Sequence, residues 1–303
     1  MLEAQIRRAV VNAIPDWGNG VGRVAMLGSG VGGVVARVAL DRPIAEELGV
    51  FSVVVKLSAG DVDLAVEGAM LELVRERGEL RTPRVHAARR DCLVMEELDA
   101  SGIPGRASEQ AAARALARLH AERSISPDGS QIYGIDVDNT IGPLPQSNAR
   151  ASRWPEFMAE QRLTPMLEHA ARASGINRAL AARVERLIAR LGEFLPDQPP
   201  ASLIHGDVWS GNVLVARDGS VGFIDPSPYY GHAEIELAFI TLFGTFGRSF
   251  FQEYERWSGS GIDPDFWRTR RDVYVVYPLL VHCALFGGTY ASQLSGVLDR
   301  LID

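Results

Sequence analysis

The chain has 303 residues, enough for one large domain or for two lobes that each contain a hydrophobic core. Hydrophobic residues make up 47% of it and charged residues 23%, as in ordinary globular proteins, and a net charge of −7 with no long basic run argues against a nucleic-acid partner. The amino terminus lacks the apolar core of a signal peptide, and the longest apolar run, 273–286, is too short to span a bilayer. Because Cys92 and Cys283 lie far apart in apolar segments, we expect buried thiols in a reducing cytoplasm. We also expect a monomer without membrane contact.

Residues 1–98 predict a small lobe that is rich in strands. The segment 23–40 is typical of two strands joined by a glycine turn, and 50–57 is a β-branched run that predicts a third strand. Apolar residues recur at nearly helical spacing in 61–80, and 92–98 predicts another short buried strand. The predicted order is therefore hairpin, strand, helix, strand.

Residues 99–303 predict a larger and mainly helical lobe, reached through the turn-like sequence ASGIPG. We expect Ser108 to cap the first helix, and we expect 133–148 to be a long loop because it is rich in Gly, Pro and Asn. Helical patterns cover 108–123, 152–172, 176–194 and most of the chain after 232, and short strands are expected within 201–225. The whole pattern predicts an α+β protein with two lobes that join near residue 98.

The sequence HGDVWSGN, residues 205–212, carries the strongest chemical signal. Asp207 and Asn212 have the Asp-x-x-x-x-Asn spacing of protein-kinase catalytic loops, where the Asp orients a hydroxyl nucleophile and the Asn holds Mg²⁺. The following residues predict two strands joined by the turn RDGS, and Asp225 would follow the second strand as another metal ligand. A surface turn or a helix cap would explain either Asp alone, but the combination favours phosphoryl transfer.

Lys56 provides a second test of that reading, because it ends the apolar run VVVK and a buried lysine needs an anionic partner. A kinase would use this lysine to hold ATP phosphates and would pair it with a glutamate of the next helix. Glu67 is the preferred partner and Glu72 the alternative. A lysine that simply reaches solvent from a strand end is the competing interpretation.

Two further segments fit nucleotide binding more weakly. The glycines of GSGVGG would let backbone N–H groups approach phosphates, although glycine hairpins are common and no Walker A lysine follows. The segment MEEL would be a hinge strand whose backbone contacts adenine. The nucleotide-binding candidates are Gly28, Gly30, Gly32, Gly33, Met95, Glu96, Glu97 and Leu98.

The histidines do not predict a metal centre. His120, His205 and His232 have no zinc-like spacing, and the two cysteines supply no paired ligands. We expect His205 to orient the catalytic loop. A Ser-His-Asp hydrolase is disfavoured because the sequence contains no G-x-S-x-G nucleophile elbow here.

The chain resembles the fructosamine kinase (ketosamine 3-kinase) family of aminoglycoside-phosphotransferase-like kinases. HGDVWSGNVLV resembles its catalytic loop, and IDPSPYYGHAEIELAFITLFGTF resembles its metal loop and the following helix. The segment 133–167, with YGIDVDNTIGPLPQSN and WPEFMAEQRLTPML, is similar to a region that is typical of this family, and YPLLVHCALFGGTY resembles its carboxy-terminal helix. The resemblance extends over nearly the whole chain.

The resemblance implies a bilobal protein-kinase-like fold and transfer of the ATP γ-phosphate, with Mg²⁺, to a sugar hydroxyl of a free or protein-linked ketosamine in deglycation repair. It makes Asp207 the base, Asn212 and Asp225 the Mg²⁺ ligands, and Lys56 with Glu67 the phosphate-binding pair. Two positions depart from the family pattern: Glu236 replaces the usual Asp, and Arg150 stands where an aromatic residue is common. The second departure bears on the substrate pocket.

The acceptor site is predicted to lie in the large lobe, where sugar would meet flat aromatic faces and amide groups. Core packing and loop bracing are the competing roles for these residues. Other possible acceptors are an aminoglycoside, choline or another sugar, and a pseudokinase that binds nucleotide without turnover is disfavoured by the intact Lys56, Asp207, Asn212 and Asp225. The sugar-binding candidates are Trp209, Tyr229, Asn139, Gln146 and Asn148.

Overall fold

The structure is a computed structural model that describes residues 1–30, 33–58, 60, 62–259 and 261–302. Within these residues, no helix combines the length and the apolar character needed to cross a membrane. The chain forms two compact units. The first contains Met1–Ser108 and Asn212–Ser227, and the second contains Glu109–Gly211 and Pro228–Asp303.

Strands dominate the first unit and helices the second. The strands are β1 Val21–Gly30, β2 Gly33–Leu40, β3 Ser52–Ser58, β4 Val85–Arg89, β5 Cys92–Glu96, β6 Asn139–Ile141, β7 Leu144–Gln146, β8 Ala201–Ile204, β9 Val213–Val215, β10 Val221–Phe223 and β11 Tyr229–His232. The helices are α1 Leu2–Ala13, α2 Arg42–Leu48, α3 Leu64–Gly78, α4 Arg106–Leu119, α5 Trp154–Phe157, α6 Thr164–Arg172, α7 Arg178–Ala189, α8 Leu191–Phe194, α9 Glu234–Phe243, α10 Arg248–Trp257, α11 Arg271–Phe286 and α12 Thr289–Ile302.

The first unit is built on an antiparallel five-stranded sheet in the order β1-β2-β3-β5-β4. Side chains alternate along β3, so that Val53 and Val55 join the hydrophobic cluster that contains Ile6 of α1. Val54 faces the opposite side of the sheet and packs against a second hydrophobic cluster, which contains Leu64 and Leu71 of α3. The same alternation places Lys56 on the α3 side of the sheet, which is what brings it to Glu67. The predicted order of hairpin, strand, helix and strand is present, and α1, α2 and β4 add to it.

The β9–β10 hairpin also belongs to the first unit. The backbone N–H of Phe223 donates to the carbonyl of Arg81 at 2.8 Å, and that of Gly102 donates to Val215 at 2.9 Å. The predicted lobe 1–98 therefore differs from the observed unit, which extends to Ser108 and includes Asn212–Ser227. Sequence order hides this because the hairpin is separated from its partners by more than a hundred residues.

The second unit contains α5–α12 and two small antiparallel pairs, β6–β7 and β8–β11. The predicted helix over 152–172 is present as α5 and α6 joined by a π-helical segment, Met158–Leu163. Pro165 lies in the first turn of α6, where its missing N–H is tolerated. The helix predicted over 176–194 divides into α7 and α8.

Two local predictions were wrong. The segment 133–148, expected to be a loop, contains the β6–β7 hairpin, whose turn uses Gly142 at φ +56°, a conformation that favours glycine. Helix α4 begins at Arg106 instead of 108, so Ser108 lies inside its first turn and exchanges hydrogen bonds with the backbone of Gly105.

Candidate active site

Lys56, Glu67 and Asp225 form an ion cluster in the first unit. The Lys56 Nζ lies 2.7 Å from the Glu67 Oε2 and 3.4 Å from the Asp225 Oδ1, and the Lys56 side chain is only 12% exposed. The predicted Lys56–Glu67 pair is therefore present, while the alternative partner, Glu72, is exposed to solvent. The sequence predicts only a metal-binding role for Asp225, shared with Asn212, and the structure adds the contact of Asp225 with Lys56.

In this ion cluster, the ammonium group of Lys56 contacts the carboxylates of both Glu67 and Asp225. Burial alone would lower the pKa of Lys56, but Asp225 and Glu67 outweigh it and raise the pKa, so the lysine stays charged. Burial and the charge of Asp225 raise the pKa of Glu67 to about 7, against the opposing effect of Lys56. The second oxygen of Glu67 is buried, and it has no hydrogen-bond partner among the described residues. Two carboxylates thus lie beside one ammonium group, and this excess of acidic groups favours a further cation beside Asp225.

Asn212 and Asp225 flank the β9–β10 hairpin at its open end. The strands pair in register, Phe223 opposite Val213, and the N–H of Ile224 donates to the carbonyl of Asn212 at 3.1 Å. Asp225 has φ +51°, in the left-handed region that few residues other than Gly, Asn and Asp adopt, and its side chain is 43% exposed.

These two residues fit a magnesium site by their chemistry. Carboxylate and amide oxygens are suitable ligands for Mg²⁺, which keeps waters and phosphate oxygens in its remaining positions. The described part of the chain holds no group of three His, Cys, Asp or Glu side chains that could bind a metal unaided. A magnesium ion at Asn212 and Asp225 would therefore depend on the nucleotide for further ligands.

The candidate glycine turn lies at the end of the β1–β2 hairpin. Gly30 pairs with Gly33, which has φ +129°, a conformation that side chains disfavour. A side chain at Gly28 would meet no atom of the described residues within 4 Å. Gly32 lies outside the described residues.

The segment MEEL begins within a paired strand. Met95 pairs with residues of both β3 and β4, and Glu96 with β3, so these two lie inside the sheet and not on an edge strand. Glu97 and Leu98 follow the end of β5. The Glu97 carboxylate accepts hydrogen bonds from Arg37 and Ser52, and Leu98 is buried. The adenine contact stays a prediction.

In the second unit, the segment that leads to Asp207 is held by a buried glutamate of α9. The Glu236 carboxylate accepts hydrogen bonds from the N–H of Gly206 at 2.7 Å and of His205 at 3.3 Å, and it pairs with the His120 Nε2 at 2.8 Å. His205 is fully buried, and its Nδ1 accepts from the N–H of Asp207 at 3.2 Å. These contacts fix the backbone on both sides of Gly206.

Glu236 is ionised despite its burial. Burial raises its pKa, but the hydrogen bond and charge of His120, together with the Gly206 N–H, lower it below the usual value. The resemblance to the family marks Glu236 only as a departure from the family pattern. A second signal was available, since Glu236 lies in the apolar helix EIELAFITLF, where a buried acid requires partners.

Asp207 and Trp209 line a cavity of about 410 Å³ that lies wholly within the second unit. The β6–β7 hairpin contributes Ile141 and Gly142 to its wall, and α11 contributes a face that begins at Tyr277. Trp209 is 43% exposed, so its ring is accessible to a small molecule. The cavity volume is within the range of small-molecule sites.

The other sugar-binding candidates make their contacts inside the protein. Asn139 donates to the carbonyl of Pro228 and accepts from Gln146, which also accepts from the Tyr277 hydroxyl. Asn148 donates to the carbonyl of Val137. These amides brace the β6–β7 hairpin, and their contact with sugar stays a prediction.

Tyr229 is also buried, and its ring packs against a guanidinium group. The Arg162 guanidinium carbon lies 3.8 Å from the centre of the Tyr229 ring, and Arg162 is fully buried and donates to Asn148 at 2.7 Å. Arg150, the other departure from the family pattern, forms a bidentate pair with Asp136 and does not line the cavity. Within the segment 133–148, the residues that line the cavity are therefore Ile141 and Gly142.

Comparison with known proteins agrees with this architecture. A family model described as fructosamine kinase matches residues 45–303. A Synechocystis protein provisionally named a ketoamine kinase is 37% identical over 62% of this chain and 60% of its own length. The chloroplastic protein-ribulosamine 3-kinase of Arabidopsis thaliana is 33% identical over 84% of this chain and 76% of its own length. A solved structure from Thermobifida fusca, provisionally described as a fructosamine-3-kinase, is 28% identical with a TM-score of 0.82 over 98% of both chains.

More distant solved structures share the fold alone, among them a choline kinase from Cryptosporidium parvum at 14% identity and a TM-score of 0.63 over 98% of this chain and 95% of that chain. The fold, with its lysine–glutamate pair and its Asp-x-x-x-x-Asn loop, is that of a protein-kinase-like phosphotransferase. Within that class, the chain belongs to the fructosamine kinase family. The predicted α+β bilobal fold and the predicted family are both confirmed.

Proposed function

We propose that this protein is an ATP- and Mg²⁺-dependent kinase that phosphorylates a sugar hydroxyl of a ketosamine. The observation that carries the proposal is the ion cluster, in which Lys56 lies 2.7 Å from Glu67 and 3.4 Å from Asp225. A lysine held in this way between a helix glutamate and a metal-binding aspartate has the two partners that phosphate positioning requires. Membership of a kinase family supports the same reaction.

Each residue has a separate task in this reaction. Lys56 binds phosphate oxygens of ATP, and the backbone of the glycine hairpin approaches the same phosphates. Asn212 and Asp225 hold Mg²⁺, which neutralises the charge that develops on the phosphoryl group when it is bound. The presence of two carboxylates, Glu67 and Asp225, beside the single ammonium group of Lys56 supports this assignment, because a further cation is favoured there.

Asp207 is the base. Its carboxylate accepts the hydrogen bond of the acceptor hydroxyl and takes the proton as the sugar oxygen bonds to the γ-phosphorus, while the bond to the bridging oxygen breaks and ADP leaves. The contacts of Glu236 and His205 with backbone N–H groups hold the Asp207 segment in place during this step. Trp209 offers an accessible ring beside Asp207 on which a sugar could stack.

The proposed acceptor is a ketosamine, with fructosamine and ribulosamine both included. The Arabidopsis relative is named a protein-ribulosamine 3-kinase, and it aligns with 84% of this chain. Free and protein-linked ketosamines, and a place in deglycation, belong to the same proposal. The test is kcat/KM for ribulose-lysine, fructose-lysine, kanamycin and choline at one Mg·ATP concentration. A ketosamine is expected to be the best substrate, and a best rate with kanamycin or choline would leave only the kinase assignment.

The metal assignment has its own test. Asp225→Ala should abolish turnover and weaken nucleotide binding in the presence of Mg²⁺, because the variant loses an oxygen ligand beside the phosphates. Titration calorimetry with and without Mg²⁺ separates this effect from general damage to the nucleotide site. Unchanged Mg·ATP affinity together with normal turnover would contradict the assignment.

A further inference from the structure

The cavity beside Asp207 has a mainly apolar wall. Away from Asp207, it is formed mainly by aromatic and aliphatic side chains of α9, α11 and α12. Phe239 and Phe243 come from α9, and Leu285 and Phe286 from the end of α11. Asp207 is the one Asp or Glu among the described residues that line this cavity, and no Lys or Arg lines it.

An aromatic cluster surrounds His282 in this wall. The His282 ring centre lies 4.8 Å from that of Tyr290, 4.9 Å from Phe243 and 5.6 Å from Phe286. Burial lowers the pKa of His282, and its Nδ1 lies 2.8 Å from the carbonyl oxygen of Pro278. The imidazole is therefore neutral near pH 7. Beyond Asp207, the cavity offers a ligand flat, uncharged surfaces.

A ketosamine has two chemically different ends, a sugar and the organic substituent on its nitrogen. The proposed reaction places a sugar hydroxyl at Asp207, so the nitrogen substituent must occupy other space. We infer that the apolar wall receives this substituent, and that the protein selects ketosamines whose amine carries an aromatic or branched aliphatic group. This inference rests on the proposed function, because it assigns the rest of the substrate that Asp207 would activate.

The wall disfavours the alternatives by its chemistry. An amine with several ammonium groups would lose hydration against rings and aliphatic side chains, where only Asp207 could pair with it. A small polar substituent, such as that of glycine, would bury little apolar area and so gain little from the wall. An aromatic or branched substituent would remove both its own surface and the wall from water.

The test is a series of fructosamines with one sugar and different amino acids: glycine, valine, leucine and phenylalanine. With wild-type protein at saturating Mg·ATP, kcat/KM should rise along the series by up to roughly fourfold per buried methylene. Leucine and phenylalanine derivatives should exceed the glycine derivative by about 20-fold. A flat or reversed order with clear turnover would overturn the apolar site and leave the kinase proposal intact. No turnover of any member, whether its sugar is fructose or ribulose, would overturn the proposed function itself.

Phe286→Ala locates the effect in the cavity. Phe286 is 60% exposed, so its removal should leave the fold intact, as a melting curve would verify. The phenylalanine derivative should lose about five- to tenfold in kcat/KM, and the glycine derivative less than about twofold. Phe51→Ala is the matched control, since Phe51 is 78% exposed in the first unit and should change neither value. Equal losses with both substrates in Phe286→Ala would contradict the inference.

Discussion

Glu67 in the first unit and Glu236 in the second are both largely buried carboxylates, yet their pKa values move in opposite directions. Glu67 has one lysine partner, which it shares with Asp225, and within the described part of the chain one of its oxygens has no hydrogen-bond partner. Glu236 receives hydrogen bonds from two backbone N–H groups and from His120. The pKa of a buried acid therefore reflects the donors around it more than its depth. The second unit uses its acid to fix a backbone, and the first retains negative charge where a cation is proposed to bind.

The largest expected effect is on stability and comes from Glu236→Ala. The variant leaves His120 and two backbone N–H groups without their acceptor, so the free energy of unfolding should fall by about 3–5 kcal/mol. Urea unfolding at pH 7 measures it. Glu193→Ala is the control, because Glu193 forms a solvent-exposed pair with Arg190, and the loss of such a pair should change stability little. Similar losses of unfolding free energy in the two variants would show that Glu236 has no special role in stability.

Asp207→Asn should separate chemistry from the backbone contacts that Glu236 makes. The variant keeps the shape of the side chain and the backbone N–H that donates to His205, but it removes the base. Turnover should fall by roughly 100-fold or more, equivalent to about 2.7 kcal/mol in the activation barrier. Nucleotide affinity and the melting temperature should remain those of the wild type. Turnover within a few-fold of wild type would exclude Asp207 as the base.

His232 extends the comparison to a buried base. Burial, together with Arg270 and Arg123, lowers the pKa of His232 to about 3, so the folded protein holds it neutral. The unfolded chain protonates this histidine below about pH 6.5, and stability is therefore full above that value and declines as the pH falls. Between pH 7.5 and 5.5, this group alone should cost about 1.4 kcal/mol.

The measurement is urea unfolding of wild type and His232→Gln at both pH values. The glutamine variant cannot titrate, so it should lose less stability on acidification, even if it starts lower because the contact of His232 with the Tyr274 hydroxyl is altered. Equal losses in the two proteins would show that His232 does not contribute to the acid sensitivity.

Glu67→Gln should have a much smaller effect on stability than Glu236→Ala. Glutamine can still accept a hydrogen bond from Lys56, and it removes a carboxylate whose ionisation is opposed by burial and by Asp225. The free energy of unfolding should stay within about 1 kcal/mol of wild type, while turnover falls by roughly tenfold because the lysine is held less firmly. A loss as large as that of Glu236→Ala would contradict the difference between the two glutamates.

The features that were predictable from the sequence are those encoded over short distances. The Asp207–Asn212 spacing, the RDGS turn between β9 and β10, and the Lys56–Glu67 pair each depend on residues within about a dozen positions of one another. Turn chemistry and strand alternation are sufficient to specify such features. The change of periodicity near residue 98 predicted the bilobal fold. It did not predict that the first unit extends to Ser108 and includes Asn212–Ser227.

The features that the sequence did not reveal join distant segments. Glu236 reaches His120 across 116 positions, and the cavity wall unites the catalytic loop with α9, α11 and α12. The amides of 139–148 look accessible in a Gly- and Pro-rich sequence, but tertiary contacts such as the Asn139–Pro228 hydrogen bond bury them. Local pattern does not report which polar groups find internal partners.

The insertion of Asn212–Ser227 into the first unit has a consequence for biosynthesis. Residues 1–108 are synthesised first, but synthesis of the hairpin that hydrogen-bonds to Arg81 and Gly102 ends only about 120 residues later. At cellular elongation rates this delay is roughly 6–24 s. During that time the nascent first unit lacks the β9–β10 hairpin that Asn212 and Asp225 flank, and much of the second unit is synthesised before the first can be completed. A contiguous fragment that ends at residue 108 would keep Lys56 and Glu67 but would lack Asp225 altogether.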